Sequence, residues 1–331
     1  MHPFTYTKPR TAQDAIRAIA AGDAGTRFIA GGTTLYDLMK LDVEAPRQIL
    51  DVSTLPGIAT IDTANPRELV FGAGAKMVAA ATHAGLRADY PALVEALDKA
   101  ASQQLRNMAS LGGNLLQRTR CNYFRGGAAY ACNKRSPGSG CAALNGLDRG
   151  HAVLGGSDSC IAVYPGDWAV ALAAFDAVVD VQGTAGPRTI PLAQLHREPG
   201  STPETETSLA RDELILRIRV PKTPLGRAST YHKIRDRESY AFALASAAVA
   251  LRMDGTRVRE ARIALGGLAT RPWRASVAEQ GLVGQVLNAA TARAAGEAAL
   301  RGARAGHHNG FRIELGIRTV ADALLIAQER V

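Results

Sequence analysis

From Arg118 to Gly156 no apolar residue recurs at the spacing of a helix or a strand, and Gly126-Gly127, Pro137-Gly138-Ser139-Gly140 and Gly155-Gly156 punctuate the stretch. A segment this long without regular structure does not persist inside a compact domain unless something else orders it. All four cysteines of the chain fall in or beside it, as Cys121, Cys132, Cys141 and Cys160, with the spacing C-x10-C-x8-C-x18-C. Four thiolates around one metal centre would supply the missing order, because ligation free energy becomes folding free energy. Spacing leaves four readings open. Zinc is one, although the C-x2-C knuckles of zinc ribbons are absent. A [4Fe–4S] cluster is another, since thiolates are its usual ligands and irregular spacings occur. Two disulfides in an oxidising compartment, with three possible connectivities, and free thiols are the others. The neighbouring Arg118, Arg120, Arg125, Lys134, Arg135 and Arg149 lean toward a centre of net negative charge.

On either side the chain is regular. Thr11–Ala21 reads as a helix with Thr11 as N-cap and Gly22 beyond its end. Strands are expected near Arg27–Ala30, Gln48–Val52 and Leu69–Ala73, and helices near Leu35–Leu41, Val78–Leu86 and Pro91–Ala101. After the cysteines, Trp168, Leu172 and Phe175 mark one face of a short helix, and Ala177–Gln182 and Glu213–Val220 alternate as strands. Glu198–Thr207 is rich in Pro, Ser, Thr and Glu and reads as a loop. Pro221-Lys222-Thr223-Pro224 breaks the pattern, so the domain boundary is placed there, with domains at 1–222 and 223–331. Strands near Ser229–Ile234, Phe242–Arg252 and Arg257–Leu268, then helices near Ala289–Arg304 and Phe311–Gln328, predict an antiparallel sheet with helices on one side. The fold class expected is α+β.

The 331 residues carry a formal net charge of +9. The cations are spread along the chain and aromatic residues are only 5%, too few for base-stacking platforms, so nucleic-acid binding is not expected. Positive charge suits an anionic cofactor and acidic partner subunits better. No stretch approaches the length of an apolar membrane span. Met1–Tyr6 has neither a basic start nor an apolar run, so a signal peptide is not expected there.

Two segments run into a diglycine and then a small polar residue. The first is Phe28-Ile29-Ala30-Gly31-Gly32-Thr33-Thr34-Leu35, preceded by Arg27. The second is Ser110-Leu111-Gly112-Gly113-Asn114. Glycines let a backbone approach an anion and aim successive N–H groups at its oxygens, and the hydroxyl and amide side chains add donors. Two such turns could hold the two phosphates of a dinucleotide, though each alone is more often a plain turn. Gly72-Ala73-Gly74 begins like a nucleotide-binding fingerprint and fails it, because Met77 stands where the third glycine belongs. The seven histidines show no zinc-protease spacing, and no nucleophile–base pair stands out. No catalytic residue is expected on this chain.

Taken in order, these motifs resemble the flavin subunits of the xanthine dehydrogenase family of molybdenum hydroxylases, and the resemblance runs over the whole chain. It implies the fold of the carbon monoxide dehydrogenase flavoprotein type, a two-part FAD-binding domain followed by the C-terminal α+β domain. By it the two glycine turns hold the FAD diphosphate, with Gln117 nearby. Asp167, in Tyr164-Pro165-Gly166-Asp167-Trp168-Ala169, matches an aspartate that contacts FAD. Ile161 falls at an apolar position near the flavin, and Lys233, in Tyr231-His232-Lys233-Ile234-Arg235, is a flavin neighbour. Gly166 departs from the family's usual serine, which removes a helix-capping hydroxyl. The cysteine segment is similar to that of the flavin subunits of bacterial periplasmic aldehyde oxidoreductases, which implies a [4Fe–4S] cluster on Cys121, Cys132, Cys141 and Cys160 within an insertion spanning about 118–160. It further implies a large molybdenum-cofactor subunit, a small subunit with two [2Fe–2S] clusters, an external electron acceptor, and a periplasmic location reached with a signal-bearing partner; a cytoplasmic one is the alternative. Competing readings are a flavin-binding assembly scaffold with a zinc- or disulfide-stapled loop, and a stand-alone flavin oxidase.

Overall fold

The Thr11 hydroxyl accepts the Asp14 backbone N–H at 3.1 Å, which starts the first helix, Ala12–Ala21, with Ile16 and Ile19 turned inward. That helix connects two strands of a small parallel sheet in which Gln48–Asp51 lies between Thr5–Thr7 and Thr26–Ile29. The computed structural model describes residues 1–331 and contains two further sheets. A five-stranded antiparallel sheet runs Ile61–Asp62, Glu68–Gly72, Leu214–Pro221, Val178–Gly183, Gly186–Pro191. A four-stranded antiparallel sheet runs Trp273–Arg274, Arg257–Gly266, Ala245–Asp254, Ser229–Ile234. The chain passes from the second sheet to the third between Pro221 and Ser229.

Strand Ala245–Asp254 is buried on both faces over its first seven residues. Its alternation divides two cores: Ala248 and Ala250 belong to the core of the first domain, whereas Ala247, Val249 and Leu251 belong to the second. Small side chains let both layers close on one strand. On the first side lies the helix Trp168–Ala174, all of whose residues are buried, with Trp168 edge-on to Phe71 at 5.4 Å between ring centroids. On the other side pack Ser276–Leu282, Ala289–Ala299 and Phe311–Gln328. The fold is α+β with helices on the outer face of the C-terminal sheet. No helix is long and apolar enough to cross a membrane.

Several expected elements differ in their limits. The helix expected over Val78–Leu86 is two helices, Met77–Ala81 and Ala84–Asp89, because the His83 ring accepts the Leu86 N–H at 3.3 Å and begins a new one. The strand expected from Phe242 begins at Ala245. The cysteine stretch holds only the short helix Asn122–Arg125 and a 3-10 turn at Gly127–Ala129. Hydrogen bonds of the chain itself order part of it: Arg135 donates to the Tyr123 and Phe124 carbonyls at 2.8 Å, and Asn133 accepts from Gly140 N at 2.8 Å.

Candidate functional site

The first glycine turn leaves strand Thr26–Ile29, with Gly32 in the left-handed region at φ +73°. A Cβ on Gly31 would stand 2.1 Å from the Met108 carbonyl oxygen. The missing side chain is what lets this turn rest on the backbone just ahead of the second. In the second, the Ser110 hydroxyl accepts the Gly113 N–H at 3.3 Å and begins the short helix Leu111–Leu115. Gly112 lies against Ala73, where a Cβ would be 2.8 Å away. Both turns open onto one cleft of about 1110 Å³, at the upper end of small-molecule sites and large enough for a dinucleotide. Arg27, Phe28, Ile29, Ala30, Gly31, Gly32, Thr33, Thr34 and Leu35 all line it, as do Ser110, Gly112, Gly113 and Gln117. Gly72 and Gly74 pack on Ile58, and Gly74 also lines the cleft.

Charged groups tie the cleft to its surroundings. Arg118 joins Glu44 at 2.5 Å and Glu206 at 2.8 Å, Arg27 approaches Glu44 at 3.4 Å, and Lys134 approaches Glu206 at 3.5 Å. The first turn, the cysteine segment and the loop 198–207 are thus held by one alternating network. Behind the second turn, the Leu115 carbonyl accepts from Tyr164 OH at 3.1 Å and is 2.8 Å from His196 Nε2. Burial lowers the His196 pKa to about 4, so the ring is neutral and its Nε2–H is the donor. Sequence inspection missed Glu44, Arg118, Tyr164, His196 and Glu206 as site residues, since their partners lie tens of residues away and no local spacing marks them.

Four expected contacts stand outside the cleft lining. Asn114 turns its amide nitrogen to Met77 Sδ at 3.6 Å. Ile161 packs on Gly156, between Cys160 and Ala162, which do line the cleft. Asp167 and Lys233 hold each other at 2.9 Å, with both side chains buried. Asp167 also accepts from Tyr231 OH at 2.6 Å, and Lys233 donates to the Lys99 carbonyl at 2.9 Å. Burial pushes the Asp167 carboxyl up, and Lys233 and Tyr231 oppose that rise. A Cβ at Gly166 would meet the Tyr164 hydroxyl at 2.5 Å, which explains why no serine stands there, and helix Trp168–Ala174 has no side-chain cap.

The four cysteines come together. All line one small cavity with Tyr123, Phe124 and His151; Cys132 and Cys141 pair across an antiparallel bridge, and all four are free thiols. No three His, Cys, Asp or Glu side chains are gathered tightly enough for a single metal ion. The cavity lining offers sulfur and no carboxylate, a donor set for soft metals, and a multi-iron centre spans thiolates farther apart than one ion does. Burial raises the Cys121 thiol to about 11 and also lifts that of Cys160. Cys160, Lys134 and Ala162 line both this cavity and the cleft, so the two sites share a wall.

Comparison with known proteins agrees over the whole chain. Residues 2–223 match the FAD binding domain in molybdopterin dehydrogenase, and residues 229–325 match the CO dehydrogenase flavoprotein C-terminal domain. The chain is 44% identical over 329 residues to the aldehyde oxidoreductase FAD-binding subunit PaoB of Escherichia coli, covering 99% of each. It is 24% identical to the glyceraldehyde dehydrogenase medium chain of Sulfolobus acidocaldarius, over 87% of this chain and 84% of that one. Among solved structures, carbon monoxide dehydrogenase from Hydrogenophaga pseudoflava superposes with a TM-score of 0.77 at 23% identity, covering 99% of this chain and 98% of that one. The chain is therefore an FAD-binding oxidoreductase subunit whose substrate chemistry lies on partner subunits. The chain belongs to the FAD-binding medium subunits of the molybdenum hydroxylase family.

Proposed function

We propose that this chain is the FAD- and [4Fe–4S]-carrying electron-transfer subunit of a heterotrimeric molybdenum-dependent aldehyde oxidoreductase. In this reading it receives electrons from the [2Fe–2S] clusters of a small partner and delivers them to an external acceptor, while a large molybdenum-cofactor subunit oxidises aldehydes to carboxylic acids. The observation that carries the reading is the shared wall: Cys160 belongs both to the cleft with the diglycine turns and to the cavity with the other three cysteines. The similarity to a protein named as an aldehyde oxidoreductase subunit supports the substrate class. Bound FAD supplies electron transfer in single or paired steps.

The chain's own residues bind and orient. Gly31–Thr34 and Ser110–Gly113 would meet the diphosphate with backbone N–H groups and hydroxyls. Arg118 and Lys134, tied through Glu206, would fix the distance between the cleft and the cysteine cavity. We place the Asp167–Lys233 pair and Ile161 behind the wall formed by Cys160 and Ala162–Pro165, as support for the flavin end. Cys121, Cys132, Cys141 and Cys160 would hold the cluster. On the resemblance we also place the complex in the periplasm, exported with a signal-bearing partner.

Flavin, iron, zinc and acid-labile sulfide analysis of the purified complex, with the partner clusters subtracted, tests this. The expected content is one FAD, four iron and four sulfide per copy of this chain, with the iron lost on Cys121→Ser. Zinc in place of iron, or iron unchanged by serine at every one of the four positions, would end the cluster assignment.

A further inference from the structure

His151 lines the cysteine cavity and has had no part in the chemistry above. Its ring Nε2 stands 3.1 Å from Cys121 Sγ, whereas its buried Nδ1 has no partner. A neutral imidazole carries one N–H, and only at Nε2 does that N–H find an acceptor, so the satisfied tautomer donates to sulfur. The residue is held from behind by the C-terminal domain. Its carbonyl accepts from Arg312 Nη1 at 3.1 Å and from Asn309 Nδ2 at 3.4 Å, and both of those side chains are buried. Its own N–H donates to the Asp148 carbonyl at 2.8 Å. Asp148 in turn accepts the His307 and His308 N–H groups at 2.8 and 2.7 Å.

We propose that His151 donates a hydrogen bond to the Cys121 thiolate and thereby raises the reduction potential of the thiolate-held centre, with Arg312 and Asn309 positioning it. This rests on the reading that the four cysteines hold an iron–sulfur cluster. Reduction of such a centre would add one electron, and the added negative charge would spread onto the sulfurs. An N–H aimed at one of them stabilises the reduced form more than the oxidised form. No bond is made or broken at His151 and no proton leaves it.

The test is a dithionite titration of the assembled complex, following the cluster's own electron paramagnetic resonance signal, with iron and sulfide assayed on each sample. In His151→Leu the reduced-to-oxidised ratio at a fixed potential is expected to fall by roughly three- to tenfold, the worth of one such hydrogen bond. His151→Gln, which keeps an N–H donor of similar reach, is expected to recover most of that loss. Full iron with an unshifted potential in His151→Leu overturns the donor role alone. Iron missing from His151→Leu while the wild type holds it would make the residue a ligand instead, and iron missing from the wild type removes the cluster reading itself. Should His151→Leu fail to assemble, pulsed resonance of the wild type decides. A proton coupling to the centre that disappears on exchange into D2O, with weak nitrogen coupling from 15N-histidine, is the expected result; no exchangeable coupling overturns the proposal.

Discussion

Asp167 and Lys233 are two charges taken out of water together, and their worth lies in being paired. Asp167→Asn leaves the Lys233 ammonium buried with a weaker partner, so a loss of about 3 kcal/mol is expected; chemical denaturation measures it. Adding Lys233→Met should restore much of the loss, and a double variant no better than the single one would contradict the pairing. His196 gives a pH dependence. Its pKa is near 4 in the fold against an ordinary 6.5, so below about pH 6.5 the unfolded chain takes a proton that the fold refuses. The stabilisation is complete above that value and is lost as pH falls toward 4. Between pH 7 and pH 5 the loss amounts to about 2 kcal/mol, and denaturation midpoints should show that slope flattened in His196→Gln. Neither residue's environment was legible in sequence. Asp167 and Lys233 were marked by resemblance, but that they meet is a fact of packing across 66 positions. The first diglycine was legible as a turn, a local pattern with a local cause, whereas the second lies inside the short helix Leu111–Leu115.

At the scale of elements, what the sequence revealed tracks how each segment is buried. Strand Glu213–Val220 and the one observed, Leu214–Pro221, agree because one face is apolar. Strand Gly186–Pro191 was missed: it is an edge strand whose middle residues, Pro187, Arg188 and Thr189, are exposed, so no alternation survives. The cysteine stretch was legible as a place without periodicity, while its internal order comes from Asn133, Arg135 and Ser139 bonding to backbone, which no periodicity reports. The same stretch predicts a pH effect on loading. With the Cys121 thiol held near 11 by burial, metal must displace a proton to bind, so affinity rises with pH. Iron and sulfide reconstitution of the metal-free complex should reach higher occupancy at pH 8 than at pH 6. Equal occupancy at both, with iron and sulfide kept below saturation, would contradict this pH effect.

For the whole molecule, the two domains share strand Ala245–Asp254 and helix Trp168–Ala174 as a common spine. The cleft and the cysteine cavity are therefore fixed relative to each other by a packed core and by the Glu44–Arg118–Glu206–Lys134 network. The family fold was readable from the order of the motifs, while the shared wall between the two sites appeared only in three dimensions. That the diglycine turns hold the dinucleotide is tested most directly by the FAD-to-protein ratio of assembled Gly31→Val beside Gly281→Ala, whose added carbon meets open space. The expectation is one FAD per chain in the wild type and in Gly281→Ala, with a severalfold loss in a folded Gly31→Val, where the new side chain would press on the Met108 carbonyl. Full flavin in Gly31→Val, or a correctly assembled wild type that carries none, would contradict it.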